Sequence, residues 1–237
     1  MPGDGARVLE IGAGTGTLTL ALLDAGNDVT ALEIDEDLVA VARERGDLSR
    51  ARILHADALA FDYAAFAGGR EWHVAGNLPY NVATPLVTHL CEMECGPRSL
   101  VVMVQKDVAN RFVARPGTAA YGSLSVAVQL SMELRRAFTL GPRAFYPQPK
   151  VESTVVQMIR RDAPVVAPKD LALFREVVRA AFAYRRKTLV NSLVLALSLP
   201  RERIERAASD AGIPLEQRGE RLDLDDFAKL ADALAEG

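Results

Sequence analysis

Four places in this chain combine residue types that do chemistry with the end of an apolar run. The first is "EIGAGTG", where Gly12, Gly14 and Gly16 follow "RVLEI". Glycines at such a point let a ligand approach the backbone closely. The second is Glu33, 21 residues after Gly12 and near the end of the run "DVTALEID". A carboxylate there can accept hydrogen bonds from both hydroxyls of an adenosine ribose. The third is Asp57, after "ARILHA", which can accept from an adenine amine. Together they outline a nucleoside pocket for NAD or S-adenosylmethionine. The spacing G-x-G-x-G departs from the G-x-G-x-x-G of dinucleotide sites. A methionine tail suits the shorter spacing better than a pyrophosphate, so S-adenosylmethionine is the favoured ligand.

The fourth place is "GNLPY", Gly76 to Tyr80. A turn needs only Asn or Pro, and the added tyrosine points to a planar partner. An adenine brought here meets two acceptors for its N6 amine, the Asn77 side-chain oxygen and the Leu78 carbonyl. Two acceptors favour a pyramidal nitrogen whose lone pair is free to attack a methyl group. Pro79 fixes the backbone that aims the carbonyl. Tyr80 offers a face on which the base can stack. No strong base is required, because a sulfonium methyl donor is already cationic and positioning can carry the step.

These residues need a scaffold that brings strand ends together. "ARVLEIGAG", "DVTALEID", "ARILHAD", "EWHVAGN" and "SLVVMVQ" read as strands alternating with helices, which predicts βαβ units and a parallel sheet. Asp35 is placed to cap the helix "EDLVAVARER". Thr84-Pro85 predicts an N-cap with proline at the first helical position. The helix "DVANRFVARP" is predicted to stop at Pro116. "LSVAVQLSMEL" fits a strand and a helix equally. "STVVQMIR" predicts a late antiparallel strand. After the linker "DAPVVAP" only helices are predicted. The domains expected are 1–164, binding the cofactor, and 165–237, all helical.

With 237 residues, 49% hydrophobic and 25% charged, the chain can bury a core without covalent staples. Cys91 and Cys95, one helical turn apart in "CEMEC", are too few for a zinc site and predict buried free thiols. No secretory signal pattern and no apolar run of membrane-spanning length occurs, which predicts a cytoplasmic protein without membrane contact. The net charge of −3 hides an asymmetry: Met1 to Glu71 holds 6 basic and 13 acidic residues, while Arg98 to Lys187 holds 16 basic and 6 acidic. A basic middle predicts a polyanionic partner.

The motifs "EIGAGTGTLT", "ALEID", "HADAL", "GNLPYNVATP", "VQKDVANR", "YGSLSV", "AFYPQPKVES" and "AFAYRRKTLVNSL" together resemble the KsgA family of small-subunit rRNA adenine dimethyltransferases. The likeness runs through nearly the whole chain. It implies a Rossmann-like, seven-stranded class I methyltransferase sheet with a small all-α C-terminal domain. It implies S-adenosylmethionine held by Gly12, Gly14, Glu33, Asp57 and Asn77. It implies transfer of two methyls to N6 of each of two adjacent adenines near the 3′ end of 16S rRNA, by a monomer acting on the small ribosomal subunit. Phe145 matches a position where a second aromatic ring is expected beside the target base. Lys150 and the run Arg185-Arg186-Lys187 fit phosphate contacts. Family members carry a Gly-Gln-Asn-Phe-Leu type motif ahead of the first strand that helps close the cofactor pocket. The present sequence enters its first strand at about Arg7 without that motif, which predicts a more open cofactor site. Two rival readings stay open: a 23S rRNA adenine methylase of the macrolide-resistance type, and a ribosome-assembly checkpoint that binds immature subunits with little catalysis.

Overall fold

The structure, a computed structural model, describes residues 5–79 and 81–236. The chain forms two compact units, one of 1–109 with 132–161 and one of 110–131 with 162–237. The sequence predicted a single cut near Pro164. The C-terminal unit instead begins at Asp162 and also claims Asn110–Ser131. Its core explains why: Tyr121, Val126 and Leu130 are buried in one cluster with Phe174, Val177, Leu193 and Phe227. Packing between segments so far apart in the chain has no local signature in the sequence.

The first unit is built on a seven-stranded sheet of order β3-β2-β1-β4-β5-β7-β6. The strands are β1 (Arg7–Ile11), β2 (Asp28–Glu33), β3 (Arg52–His55), β4 (His73–Asn77), β5 (Ser99–Gln105), β6 (Met132–Leu140) and β7 (Ser153–Arg160). The first five are parallel, and β7 runs antiparallel between β5 and β6. Both faces of a parallel sheet are covered by the crossover helices, so β1 and β2 are buried along nearly their whole length. The helices are α1 (Thr17–Asp24), α2 (Glu36–Glu44), α3 (Tyr63–Ala67) and α4 (Ala83–Glu92). Val8, Val29, Ala31 and Ile53 pack with Leu22, Leu23, Val39 and Ala42 of α1 and α2. Asp35 caps α2 as predicted, its Oδ1 accepting from the N–H groups of Asp37 and Leu38.

The helix after β4 differs from expectation. Its N-cap is Val82, without a side-chain hydrogen bond, and Thr84 and Pro85 lie inside the first turn. The N–H groups of Val82 and Ala83 both donate to the Pro79 carbonyl, so the turn at Pro79 feeds directly into α4. Proline costs nothing at the third position, because the first four N–H groups of a helix have no partner within it. Cys91 is buried in α4 and burial pushes its thiol up to about 12, whereas Cys95 is exposed beyond the helix end. The expectation of two buried thiols therefore holds for one.

The stretch that read both ways is both. α5 (Lys106–Phe112) ends short of Pro116, and α6 (Ser123–Ser131) passes at Met132 straight into β6. The second unit adds α7 (Leu171–Ala183), α8 (Leu189–Leu197), α9 (Arg201–Asp210) and α10 (Leu224–Glu236). Asp170 caps α7 through the N–H groups of Ala172 and Leu173. Among the described residues no helix is long and apolar enough to cross a membrane, and no cluster of three metal-binding side chains occurs.

Candidate active site

Parallel pairing aligns the strand ends. Ile11 lies opposite Leu32 and Gly76, Glu33 opposite His55, and Asn77 opposite Met103. The glycine loop, Glu33, Asp57 and Asn77 therefore share the carboxyl edge of the sheet. In the antiparallel ladder Ser153 pairs with Gln105 and with Leu140, so the 141–152 connection, with Phe145 and Lys150, lies on that edge too. Five separate stretches of sequence are brought to that edge by strand order and direction.

The glycine loop is held from both sides. The N–H groups of Gly12 and Ala13 donate to the Leu32 carbonyl at 2.9 and 3.1 Å. Gly12 and Gly14 have φ of +80° and +54°, which side-chain-bearing residues rarely adopt. A Cβ on Gly12 would stand 3.4 Å from the Asn77 carbonyl oxygen, while one on Gly14 would meet open space. Arg45 reaches back from the end of α2, its Nη1 donating to the Thr15 carbonyl at 2.7 Å. Beneath the loop, the Thr19 hydroxyl donates to Glu10 Oε2 at 2.6 Å and ties α1 to β1. Glu10 is fully buried and its Oε1 has no partner among the described residues. Burial pushes its carboxyl up to about 7, against the hydrogen bond from Thr19, and the nearby Glu33 charge adds to the rise. Neither Arg45 nor Glu10 was singled out from sequence.

Glu33 is only 8% exposed. Its Oε2 accepts from the Gly14 N–H at 2.8 Å, and its Oε1 accepts from the N–H groups of Ile34 and Asp35 at 2.8 and 3.0 Å. A carboxylate has about four lone-pair positions, so three such bonds leave room for a further donor. The residue thus couples the loop to the end of β2. Asp57 is exposed, and its Oδ1 accepts from the Leu59 N–H at 2.8 Å. Two apolar side chains stand in the open near these acids in sequence: Ile34 is 63% exposed and Leu59 50%. Each directly or closely follows a strand-end carboxylate, a signal visible in "EID" and "DAL" once the strand ends are known. Such surfaces suit the face of a flat base.

At β4 the sequence Gly-Asn-Leu-Pro resolves into separate jobs. Leu78 is 1% exposed and its N–H donates to the Met103 carbonyl at 3.0 Å, which anchors the turn to β5. Asn77 and Pro79 on either side are exposed. Tyr80 lies outside the described residues. Gly76 is required by space: a Cβ there would sit 2.6 Å from the Ile11 carbonyl oxygen and 3.2 Å from Leu78 Cδ2. Gly76→Ala should therefore force β1 and β4 apart and cost about 1–3 kcal/mol, the range for overpacking. Thermal unfolding checks this, and an unchanged midpoint contradicts the packing argument.

Phe145 is half-buried and follows a 3-10 turn at Pro142–Ala144; Lys150 is exposed. The far end of the connection is pinned by Lys106, whose N–H donates to the Glu152 carbonyl at 3.0 Å and whose Nζ pairs with Glu152 Oε2 at 2.5 Å. In the second unit, Arg185, Arg186 and Lys187 are exposed in the turn between α7 and α8. The turn is fixed by buried Ser192, which accepts from the Tyr184 N–H and donates to the Ala180 carbonyl at 2.6 Å. Arg185 Nη2 donates to the Ala119 carbonyl at 2.8 Å.

Comparisons with known proteins place the chain in a family. A family described as ribosomal RNA adenine dimethylase matches residues 3–236. Proteins called ribosomal RNA small subunit methyltransferase A are similar throughout. That of Clostridium botulinum (strain Langeland) is 39% identical over 229 residues, spanning 96% of this chain and 83% of its own. That of Aromatoleum aromaticum is 42% identical over 235 residues, spanning 99% and 85%. Among solved structures, a dimethyladenosine transferase from Plasmodium falciparum superposes with a TM-score of 0.76 at 24% identity, covering 96% of this chain and 89% of that one. The 23S rRNA methyltransferase ErmE gives 0.69 at 24% identity, covering 98% and 92%. Both solved structures share the fold.

Proposed function

The chain belongs to the ribosomal RNA adenine dimethylase family, and we propose that its substrate is the small ribosomal subunit, at two adjacent adenines near the 3′ end of 16S rRNA. The protein is an S-adenosylmethionine-dependent rRNA adenine dimethyltransferase. The small-subunit assignment draws on the names of relatives 39–42% identical over nearly the whole chain. With it go a role in ribosome biogenesis, a cytoplasmic location and action as a monomer.

The observation that carries the reading is the adjacency of Gly12 and Asn77, whose carbonyl oxygen lies 3.4 Å from where a Gly12 Cβ would be. The bare backbone of the loop and the main chain of the clamp at Asn77 thus lie side by side. Gly12, Gly14, Glu33, Asp57 and Asn77 are proposed to hold the cofactor, with Ile34 and Leu59 as apolar walls for its base. When bound, S-adenosylmethionine supplies a methyl group on a cationic sulfonium. Asn77 Oδ1 and the Leu78 carbonyl are proposed to accept from the two hydrogens of the target N6 amine. This turns the nitrogen lone pair out of conjugation, and the proton lost on methylation leaves to solvent. Leu78 holds that carbonyl through its buried side chain and its bond to Met103. Pro79 stiffens the turn, and Tyr80 and Phe145 flank the base. Lys150, Arg185, Arg186 and Lys187 meet rRNA phosphates.

Glu33→Ala should weaken cofactor binding by about 1.5–3 kcal/mol, the scale of hydrogen bonds to a charged group. It removes a ribose acceptor and also frees the Gly14 N–H. Calorimetric titration checks this; unchanged affinity in a folded variant contradicts the assignment. Methyl transfer to purified immature small subunits tests the function as a whole. Turnover supports the enzyme, and tight binding without turnover would favour an assembly checkpoint.

A further inference from the structure

The connection between β6 and β7 carries a second aromatic ring that the clamp does not use. Tyr146 is 101% exposed, so its ring is not packed against any of the described residues. Its neighbour Phe145 is half-buried, with φ −126° and ψ 151°. The difference in exposure shows that the two rings do not lie on one surface. If Phe145 flanks the target base, Tyr146 faces away from that base, over the outside of the pocket.

The segment that presents Tyr146 is constrained. Pro142, Pro147 and Pro149 each fix a backbone torsion. The N–H groups of Ala144 and Phe145 donate to the Gly141 and Pro142 carbonyls at 3.1 and 3.2 Å, and Glu152 ties the far end to Lys106. Exposed Arg143 and Lys150 bracket the ring in sequence with two cations. A fully exposed aromatic ring between cations, on a stiffened loop at the reaction edge, matches how proteins hold single-stranded nucleic acid: phosphates by charge, bases by stacking.

We infer that Tyr146 is a stacking platform for the nucleotide next to the target adenine. This rests on the function proposed above. A base drawn into the clamp leaves the stack, and its neighbour in the strand loses one face of contact. Tyr146 replaces that face and so holds the strand in register while the first adenine is treated and the second awaits its turn. The contact is a ring-on-ring one, so it needs the aromatic face and not the phenol hydroxyl.

The test compares Tyr146→Ala, Tyr146→Phe and Tyr146→Trp with the unaltered chain. Single-turnover methylation of under-methylated small subunits is measured alongside S-adenosylmethionine affinity by calorimetry. Loss of one stacked base should lower methylation efficiency in Tyr146→Ala by roughly 5- to 50-fold, while the Phe and Trp variants stay within about twofold. Cofactor affinity should be unchanged in all three. Wild-type efficiency in Tyr146→Ala overturns the assignment. So does a Phe variant as slow as the Ala variant, which would place the effect in the hydroxyl. So does loss of cofactor affinity, which would make the ring a support of the pocket. An unaltered chain without turnover overturns the proposed function, and this assignment with it, in an arm that involves no Tyr146 variant.

Discussion

Asn77→Ala should lower the single-turnover rate of methyl transfer by roughly 10²-fold, the scale seen when one preorganised hydrogen-bonding group is removed from a reacting centre. In the proposed mechanism the acceptor acts as the N6 nitrogen becomes pyramidal, so its loss should raise the barrier more than it weakens the ground state. The fold should survive. Asn77 is exposed at the end of β4, and the turn is held by the Leu78 side chain and the Leu78-to-Met103 hydrogen bond, which the substitution leaves in place. Subunit affinity should stay near normal, since rRNA contacts outside the pocket are untouched. Single-turnover methylation beside subunit binding separates the two effects. A near-normal rate in a folded variant would reduce Asn-Leu-Pro-Tyr to a turn that links β4 to α4.

Reversing Arg185, Arg186 and Lys187 to glutamate should flatten the salt dependence of subunit binding. Each neutralised phosphate adds about 0.9 to the slope of log affinity against log salt, so taking away three cations should lower its magnitude by roughly 2–3. The larger part is expected from Arg186 and Lys187, because the Arg185 guanidinium already serves the Ala119 carbonyl. The turn that presents them is anchored by Ser192 to the end of α7, so the charges change without unfolding the helices around them. Cofactor affinity should not move. Binding measured across a salt series decides it, and an unchanged slope would make this turn an ordinary solvated surface.

The parallel core of the sheet is readable in the sequence because its strands are short, mainly apolar stretches, most of them followed by or ending in Gly, Glu, Asp or Asn. Those ends also carry the proposed site residues, so fold and candidate site are read from the same residues. What escaped has physical reasons. β6 lies at the sheet edge with Glu133, Arg135, Arg136 and Phe138 exposed, so its sequence carries no buried alternation. Its bulge between Arg136 and Phe138 breaks the period further. The start of α4 was misplaced because Thr-Pro is a strong local capping signal, whereas the bonds that start this helix come from the Pro79 carbonyl. The assignment of Asn110–Ser131 to the helical unit rests on packing against residues distant in the chain, such as Phe174 and Phe227, which no local pattern encodes.

The site shows the same division. Glu33 is singled out by its distance from Gly12, yet spacing does not reveal that its carboxylate also binds the loop itself. Arg45 and Glu10 were missed because an arginine at a helix end and an acid within an apolar strand look unremarkable until the loop they support is folded above them. Ile34 reads as one more apolar residue after a strand, and only its exposure distinguishes it. Gly76 read as the end of an apolar run, whereas its place is set by the Ile11 carbonyl beside it.

The most direct test of the account is incubation of the protein with labelled S-adenosylmethionine and under-methylated small ribosomal subunits, followed by mapping of the label on the rRNA. The account predicts two methyl groups on N6 of each of two adjacent adenines near the 3′ end of 16S rRNA. Label confined to large-subunit rRNA, or tight subunit binding with no label transferred, would contradict it.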